Sequence, residues 1–402
     1  MKWARSMSLS SRARSSDKIK LNLKIRKAET KMDIMQAKLA VIEAGKKLVE
    51  KGLIARTWGN VSCRISENEF VITPSGRSYE DLTPDEIVAV KIDDLSYEGD
   101  VKPSSEKGVH ASAYLLRPDC NFVIHTHQVN ASVVSVMGKD MPVEDEAYAN
   151  ILGKVVPLAA YGMPSTKKLK KGVFTAIEQY PDSKAVIMSN HGAVCMGKDS
   201  DETFLITQTL EDACYSYLAT KYNIYTNNKP VCYSSVRAGS NFILKGDDGS
   251  EAGFLISERG DMGTIAMAGV HRDVYLARKD INAVVQSGTP DIMGAAKKCG
   301  GKLRPLLDDF AQIAGTTVRV AKDNADVVKA LKGRNAVFMP DGTALCCGPD
   351  EDDAKAVEMV VDKNCKAYLA ADAFDAVKYI SRLDSVIMHL VYKMKYSKQK
   401  NK

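Results

Sequence analysis

The chain has 402 residues, more than one typical core holds, so two domains are expected. No apolar run approaches the roughly 20 residues of a membrane span, which excludes a spanning helix and predicts no membrane partner. The formal charge of +6 would suggest a nucleic-acid partner, but residues 1–31 hold ten Lys/Arg against Asp17 and Glu29, a local +8 that leaves −2 elsewhere, so none is expected.

That basic stretch has three readings: translated upstream sequence with the start at Met32, a Ser/Arg-rich targeting peptide, or an interaction arm. The first is favoured, because patterned sequence begins at Asp33. Residues 1–32 are therefore expected to be a disordered basic extension. Nine cysteines without a CxxC pair argue against a disulfide framework and a cysteine zinc site, and point to a reducing, cytoplasmic setting.

From Asp33, an N-cap candidate, the positions Met35, Leu39, Ile42, Val49 and Leu53 predict a core-facing helix stopped at Gly52. TWGNVSCRI and FVITPSG follow with strand-like alternation, joined through Ser66–Asn68. Thr83-Pro-Asp-Glu86 is a helix-start sequence before the apolar run Ile87–Ile92. Pro103 and Ser104 open a predicted helix through Leu116, with Glu106 in its first turn. A strand at FVIHTH comes next, then helix-like VNASVVSVMG, strand-like VVPLAAY, a helix over 167–179, and the strand AVIMS leading to His191. Asp199 with Glu202 reads as a capping box opening a long helix to about Tyr222. Alternating helices and strands predict an α/β or α+β domain over 33–230.

Past a linker near 227–240 the sequence repeats itself. HASAYLLRPDCNFVIHTH at 110–127, laid on HRDVYLARKDINAVVQSG at 271–288, matches at seven of 18 positions, and AVIMSNHGAVCMGKDSD from Ala185 resembles AVFMPDGTALCCGPDED from Ala336. A tandem duplication follows, with a second domain over 240–385 and a basic tail over 386–402.

The chemistry concentrates at His125 and His127, which share one face of a strand and suit two imidazoles on one ion. Glu106 from PSSE and His191 from NHG complete a set of three histidines and one carboxylate, fit for zinc or a similar divalent ion. In the second copy His125 faces Gln286, His127 faces Gly288, Glu106 faces Met267, and His191 faces Gly342 or, with one gap, Asp341. The apolar frame persists while the ligand candidates vanish, as expected for a metal site confined to the first copy. His110 keeps its counterpart His271 and is read as structural. Asn60, Ser75, Gly76, Ser104 and Ser105 offer hydroxyls, an amide and backbone N–H groups for a phosphate, the two serines at a helix N-terminus. The plain reading of Ser104 as an N-cap and TPSG as a turn stands beside that one.

TWGNVS, TPSG, PSSE, HTH and NHG, in this order over roughly residues 33–225, resemble the class II aldolase/adducin family, in particular its L-fuculose-phosphate aldolases. The resemblance implies a three-layer α/β/α sandwich on a mostly antiparallel central sheet, here present twice, and a ring-like homo-oligomer. It implies zinc held by His125, His127 and His191, with Glu106 as fourth ligand and acid/base. Tyr148 lies near the segment that supplies a proton-donating tyrosine to a neighbouring subunit's site. The implied activity is cleavage of a small phosphorylated ketose to dihydroxyacetone phosphate and an aldehyde. The alternatives are a ribulose-5-phosphate 4-epimerase, whose family pattern carries Asp where this chain has Glu106, a methylthioribulose-phosphate dehydratase, and a non-catalytic adducin-like binding protein.

Overall fold

The computed structural model describes residues 33–54, 58–223, 230–257 and 266–399. The basic stretch 1–32 and Thr57 of the TWGNVS motif lie outside them. The first helix is α1 (Ile34–Glu50), followed by β1 (Gly59–Arg64), β2 (Glu69–Ile72), β3 (Val88–Lys91), α2 (Lys107–Leu116) and β4 (Phe122–Thr126). Then come α3 (Val129–Val134), β5 (Met141–Pro142), α4 (Glu146–Leu152), β6 (Val155–Val156), β7 (Leu158–Ala159) and α5 (Lys167–Gln179). β8 (Ala185–Met188), β9 (Gly192–Gly197) and α6 (Ser200–Ala219) end the first half.

The second half runs β10 (Tyr233–Ala238), β11 (Asn241–Gly246), β12 (Glu251–Leu255), α7 (Ala266–Ala277), β13 (Ala283–Ser287), α8 (Pro290–Lys298), β14 (Lys302–Leu303) and α9 (Asp308–Ile313). It closes with β15 (Val318–Val320), α10 (Val327–Leu331), β16 (Ala336–Phe338), β17 (Ala344–Gly348), α11 (Glu351–Ala373) and α12 (Arg382–Gln399).

Seven strands form the first sheet in the order β3-β2-β1-β4-β9-β8-β7, and eight form the second in the order β12-β11-β10-β13-β17-β16-β15-β14. Strand for strand the two orders agree, with β14 added at one edge. Both sheets are mixed: β1–β2, β1–β4 and β2–β3 are antiparallel and β7–β8 parallel, while in the second sheet β15–β16 is parallel among antiparallel neighbours. The side-chain contacts repeat as well. Ser62 Oγ hydrogen-bonds both His110 Nδ1 and Tyr114 Oη, and Ser235 Oγ bonds His271 Nδ1 and Tyr275 Oη in the same way. Arg64 lies over the Tyr114 ring and Arg237 over that of Tyr275.

By contacts the chain falls into two compact units that cut across the two halves. One comprises residues up to Thr126 with Ile177–Lys184 and Val194–Gln208; its core joins α1 residues Val41 and Leu48 to Val61, Phe122, Ile124 and Phe204. The other comprises His127–Ala176, Ala185–Ala193 and everything from Thr209, with a core built on Phe242, Tyr275, Val284 and Val337.

Several local expectations change. In α1 the buried face is Ala37, Val41, Ile42, Ala44, Gly45 and Leu48, whereas Met35 is 46% and Leu39 50% exposed. Gly45 lies on that face because Tyr79 packs there; a Cβ on Gly45 would stand 2.2 Å from its ring. The helix-start sequence Thr83–Glu86 forms a capping box, with the Thr83 N–H donating to Glu86 Oε2 at 3.1 Å, but it caps a single 3-10 turn before β3. α2 begins at Lys107 and not at Pro103, because Pro103 bridges Pro74 and the Ser104 N–H donates to Thr73 O at 3.0 Å, holding 103–104 extended. VVPLAAY splits at Pro157, which cannot donate to a ladder: β6 pairs with β5, and β7 joins the first sheet. The stretch expected as a basic tail is helical to Gln399, with Met388 and His389 buried. None of the nine cysteines forms a disulfide.

Candidate metal centre

β1 and β4 pair antiparallel with Asn60 opposite His125, and directly opposed residues share a face of the sheet. Gly59 lets the strands meet, because at φ +131° a Cβ there would also lie 2.6 Å from His125 O. His127 follows one residue beyond the end of β4. His191 sits in the turn between β8 and β9, where Asn190 has φ +62° and its Nδ2 donates to Leu306 O at 2.8 Å. Glu106 is the N-cap residue of α2; its N–H donates to Ser104 Oγ at 3.2 Å, and its Oε2 lies 3.0 Å from His125 Nε2.

Glu106, His125, His127 and His191 each bring one ligand atom to within 4.8 Å of the others. Glu106, His125 and His191 are buried and His127 nearly so. Four donors at about 2.1 Å from a tetrahedral zinc stand about 3.4 Å apart, so small side-chain adjustments close this set on an ion. Three neutral imidazoles with one carboxylate are the donor chemistry of such a centre. The second copy spends its equivalent on structure: Gln286 Nε2 donates to Thr343 Oγ1 at 2.8 Å, and its Oε1 accepts from the Tyr233 N–H at 3.1 Å.

The residues expected to hold a phosphate are partly assembled. The Ser75 N–H donates to Lys102 O at 2.9 Å, which, with the Ser104–Thr73 bond, ties the TPSG and PSSE loops together. Ser75, Gly76 and Ser105 are exposed, and Ser104 is buried. Because α2 starts at Lys107, Ser104 and Ser105 stand in the turn before the helix and not in its first turn. Asn60 is fixed by a relay the sequence did not reveal. Tyr114 Oη and the Ser62 hydroxyl pass hydrogen bonds to His110 Nδ1, and His110 Nε2 donates to Asn60 Oδ1, which leaves the Asn60 amide N–H groups as donors. Burial, with His125 adding to it and Glu106 opposing, pushes His110 down to about 3, so it stays neutral. Burial alone holds His271 at about 3 as well.

Tyr148 is not brought into the cluster of four. It is half-buried on α4, whose N-cap Asp145 accepts from the Ala147 and Tyr148 N–H groups. Sequence reasoning missed the carboxylates of α9. Asp308 Oδ2 hydrogen-bonds His191 Nδ1, and Asp309 Oδ2 lies 2.5 Å from Lys363 Nζ and 3.9 Å from His127 Nδ1. Burial pushes the Asp309 carboxyl up, but the Lys363 ammonium together with His127 outweighs it and the net shift is downward. A paired Asp at a helix start looks like an ordinary cap, and its histidine partners lie more than a hundred residues away.

A family model described as Class II Aldolase and Adducin N-terminal domain matches residues 39–218 and again 219–369. The 5-deoxy-D-ribulose 1-phosphate aldolase of Bacillus thuringiensis serovar kurstaki is 32% identical over 182 residues, 45% of this chain and 84% of that protein. The L-fuculose phosphate aldolase of Escherichia coli K12 is 31% identical over 180 residues, 45% of this chain and 81% of that protein. Among solved structures, an L-fuculose 1-phosphate aldolase is similar at 31% identity and a TM-score of 0.44, covering 46% of this chain and 86% of that one. With the family model matching twice and covering most of its length, the chain belongs to the class II aldolase and adducin N-terminal domain family.

Proposed function

We propose that the first half of the chain is a divalent-metal aldolase that cleaves a small ketose phosphate to dihydroxyacetone phosphate and an aldehyde. The observation that carries this reading is the convergence of Glu106, His125, His127 and His191 within 4.8 Å. An adducin-like binding module would have no use for such a set. Relatives named for 5-deoxyribulose 1-phosphate and 5-methylthioribulose 1-phosphate support a ketose 1-phosphate as the substrate class.

Glu106, His125, His127 and His191 would hold the ion, zinc being the one expected from three imidazoles and a carboxylate. When bound it supplies positive charge against the oxygen anion that forms as the bond breaks. The chain's own groups carry the rest. The Glu106 carboxylate, set by its N–H bond to Ser104 Oγ, takes the proton of the C4 hydroxyl. The C3–C4 bond then breaks, its electron pair moves toward the C2 carbonyl, and the C4 fragment leaves as the aldehyde. A proton returned to C3 completes dihydroxyacetone phosphate; Tyr148, reaching the site of a neighbouring copy, is the donor we assign. Asn60, Ser75, Gly76, Ser104 and Ser105 receive the phosphate, through the Asn60 amide, the serine hydroxyls and the Gly76 N–H, while the Ser75 and Ser104 N–H groups tie the two loops together.

We further infer a tandem duplication of a three-layer α/β/α sandwich, with domains over 33–230 and 240–385, in a cytoplasmic homo-oligomer. Two such chains could form a ring of four domains. The shared strand order and the repeated Ser–His–Tyr contacts support the duplication. The test is a screen of ketose 1-phosphates and 5-phosphates with zinc present. Release of triose phosphate supports the aldolase, epimer formation without release supports the epimerase, and a chain holding no stoichiometric zinc refutes both.

A further inference from the structure

Within the second compact unit, the turn bearing His191 and the start of α9 meet directly. The Asp308 N–H donates to Asn190 O at 3.0 Å, and Asp308 Oδ2 accepts from His191 Nδ1. Asp308 is 1% exposed, so its carboxylate has no competing solvent. Beside it, Asp309 Oδ2 stands 3.9 Å from His127 Nδ1, and Lys363 of α11 holds both parts, with Nζ 2.5 Å from Asp309 Oδ2 and donating to His127 O at 3.1 Å. Two of the four candidate ligands thus have their Nδ1 edge against a carboxylate from the far half of the chain.

An imidazole whose Nδ1–H is held by a carboxylate keeps its lone pair on Nε2 and its ring plane fixed. We propose that Asp308 is a positioning residue of the metal centre, supplied by the second copy, which locks His191 in the Nδ1–H tautomer with Nε2 presented to the ion, while Asp309 and Lys363 steady His127. This rests on the metal reading above.

The place of these residues in the repeat explains how they came to serve the other copy. Carried on without gaps, the alignment of His110 with His271 lays Met141–Pro142 of β5 on Lys302–Leu303 of β14, and Ala147 and Tyr148 on Asp308 and Asp309. The equivalent short helix therefore carries a tyrosine in the first copy and a carboxylate pair in the second. Among the described residues the second copy gathers no such set of ligands for that pair to orient, and Gln286 stands where His125 would be and is bonded to Thr343 and Tyr233. Its carboxylates act on the ligands of the first.

The test uses the full-length chain and zinc alone, with affinity read by competition against a chromophoric chelator. D308A should bind zinc about 10–100-fold more weakly than wild type, and the isosteric D308N, whose amide oxygen still accepts the Nδ1–H, should fall between them. Histidine ¹⁵N spectra of the metal-free wild type should show His191 as the Nδ1–H tautomer, with D308N giving a mixture. Wild-type zinc affinity in D308N, or an Nε2–H tautomer in the wild type, overturns the proposal. If D308A does not fold, D308N and the wild-type spectrum decide alone. A wild-type chain with the expected tautomer but no zinc binding overturns the metal reading instead, so the two failures are told apart.

Discussion

The repeated Ser–His–Tyr contact allows a direct measurement of what the buried non-ligand histidines do. His271 is fully buried, its Nδ1 bonds Ser235 Oγ at 2.7 Å, and burial holds it at about 3 against an ordinary 6.5. Between those values the unfolded chain binds a proton that the folded chain refuses. Stability from this group is therefore fully present above about 6.5 and is lost as the pH falls toward 3, at about 1.4 kcal/mol per pH unit. From about pH 7 to about pH 4 the loss is about 3 kcal/mol. The other histidines also take up protons in the unfolded chain over this window, so the measurement is a difference. Urea midpoints of wild type and H271Q across this range should converge as the pH falls, because glutamine cannot take the proton. H271Q begins less stable at neutral pH by about 1–3 kcal/mol for the disturbed buried hydrogen bond. Parallel profiles, with the gap unchanged between pH 7 and pH 4, would refute the argument that burial keeps His271 neutral.

Three further outcomes are expected. His125→Ala removes a ligand and should lower zinc content sharply, whereas His110→Ala should leave it near wild type, since His110 bonds Asn60 and Ser62 and is not among the four; metal analysis of the two purified variants checks this. Glu106→Gln keeps the size and removes the base, so turnover on a cleavable ketose phosphate should drop by roughly 10²–10⁴ in steady-state assays while the circular dichroism spectrum is unchanged. A chain ended after Lys229 cuts the second compact unit, which joins 127–176 to residues beyond 209, and should be poorly soluble or weakly active; a soluble, fully active fragment in size-exclusion chromatography and turnover assays would contradict this.

Much of the site was legible in the sequence because its signals are local. HxH at a strand end turns two imidazoles to one side by the period of the strand, and the loss of the same residues from the second copy singles them out as candidate ligands. Periodicity likewise located most helices and strands of the first half, and the repeat pointed to a second copy built from the same segments. Tertiary packing decided what periodicity could not. α1 turned Val41, Leu48 and the small residues between them inward and not Met35 and Leu39, and the Tyr79 ring fills the space at Gly45 that a side chain would need. The TPSG loop drew Pro103 and Ser104 out of α2 through the Ser104–Thr73 hydrogen bond. Asp308, Asp309 and Lys363 became neighbours of His191 and His127 only through contacts spanning more than a hundred residues, and no local pattern encodes a hydrogen bond of that reach.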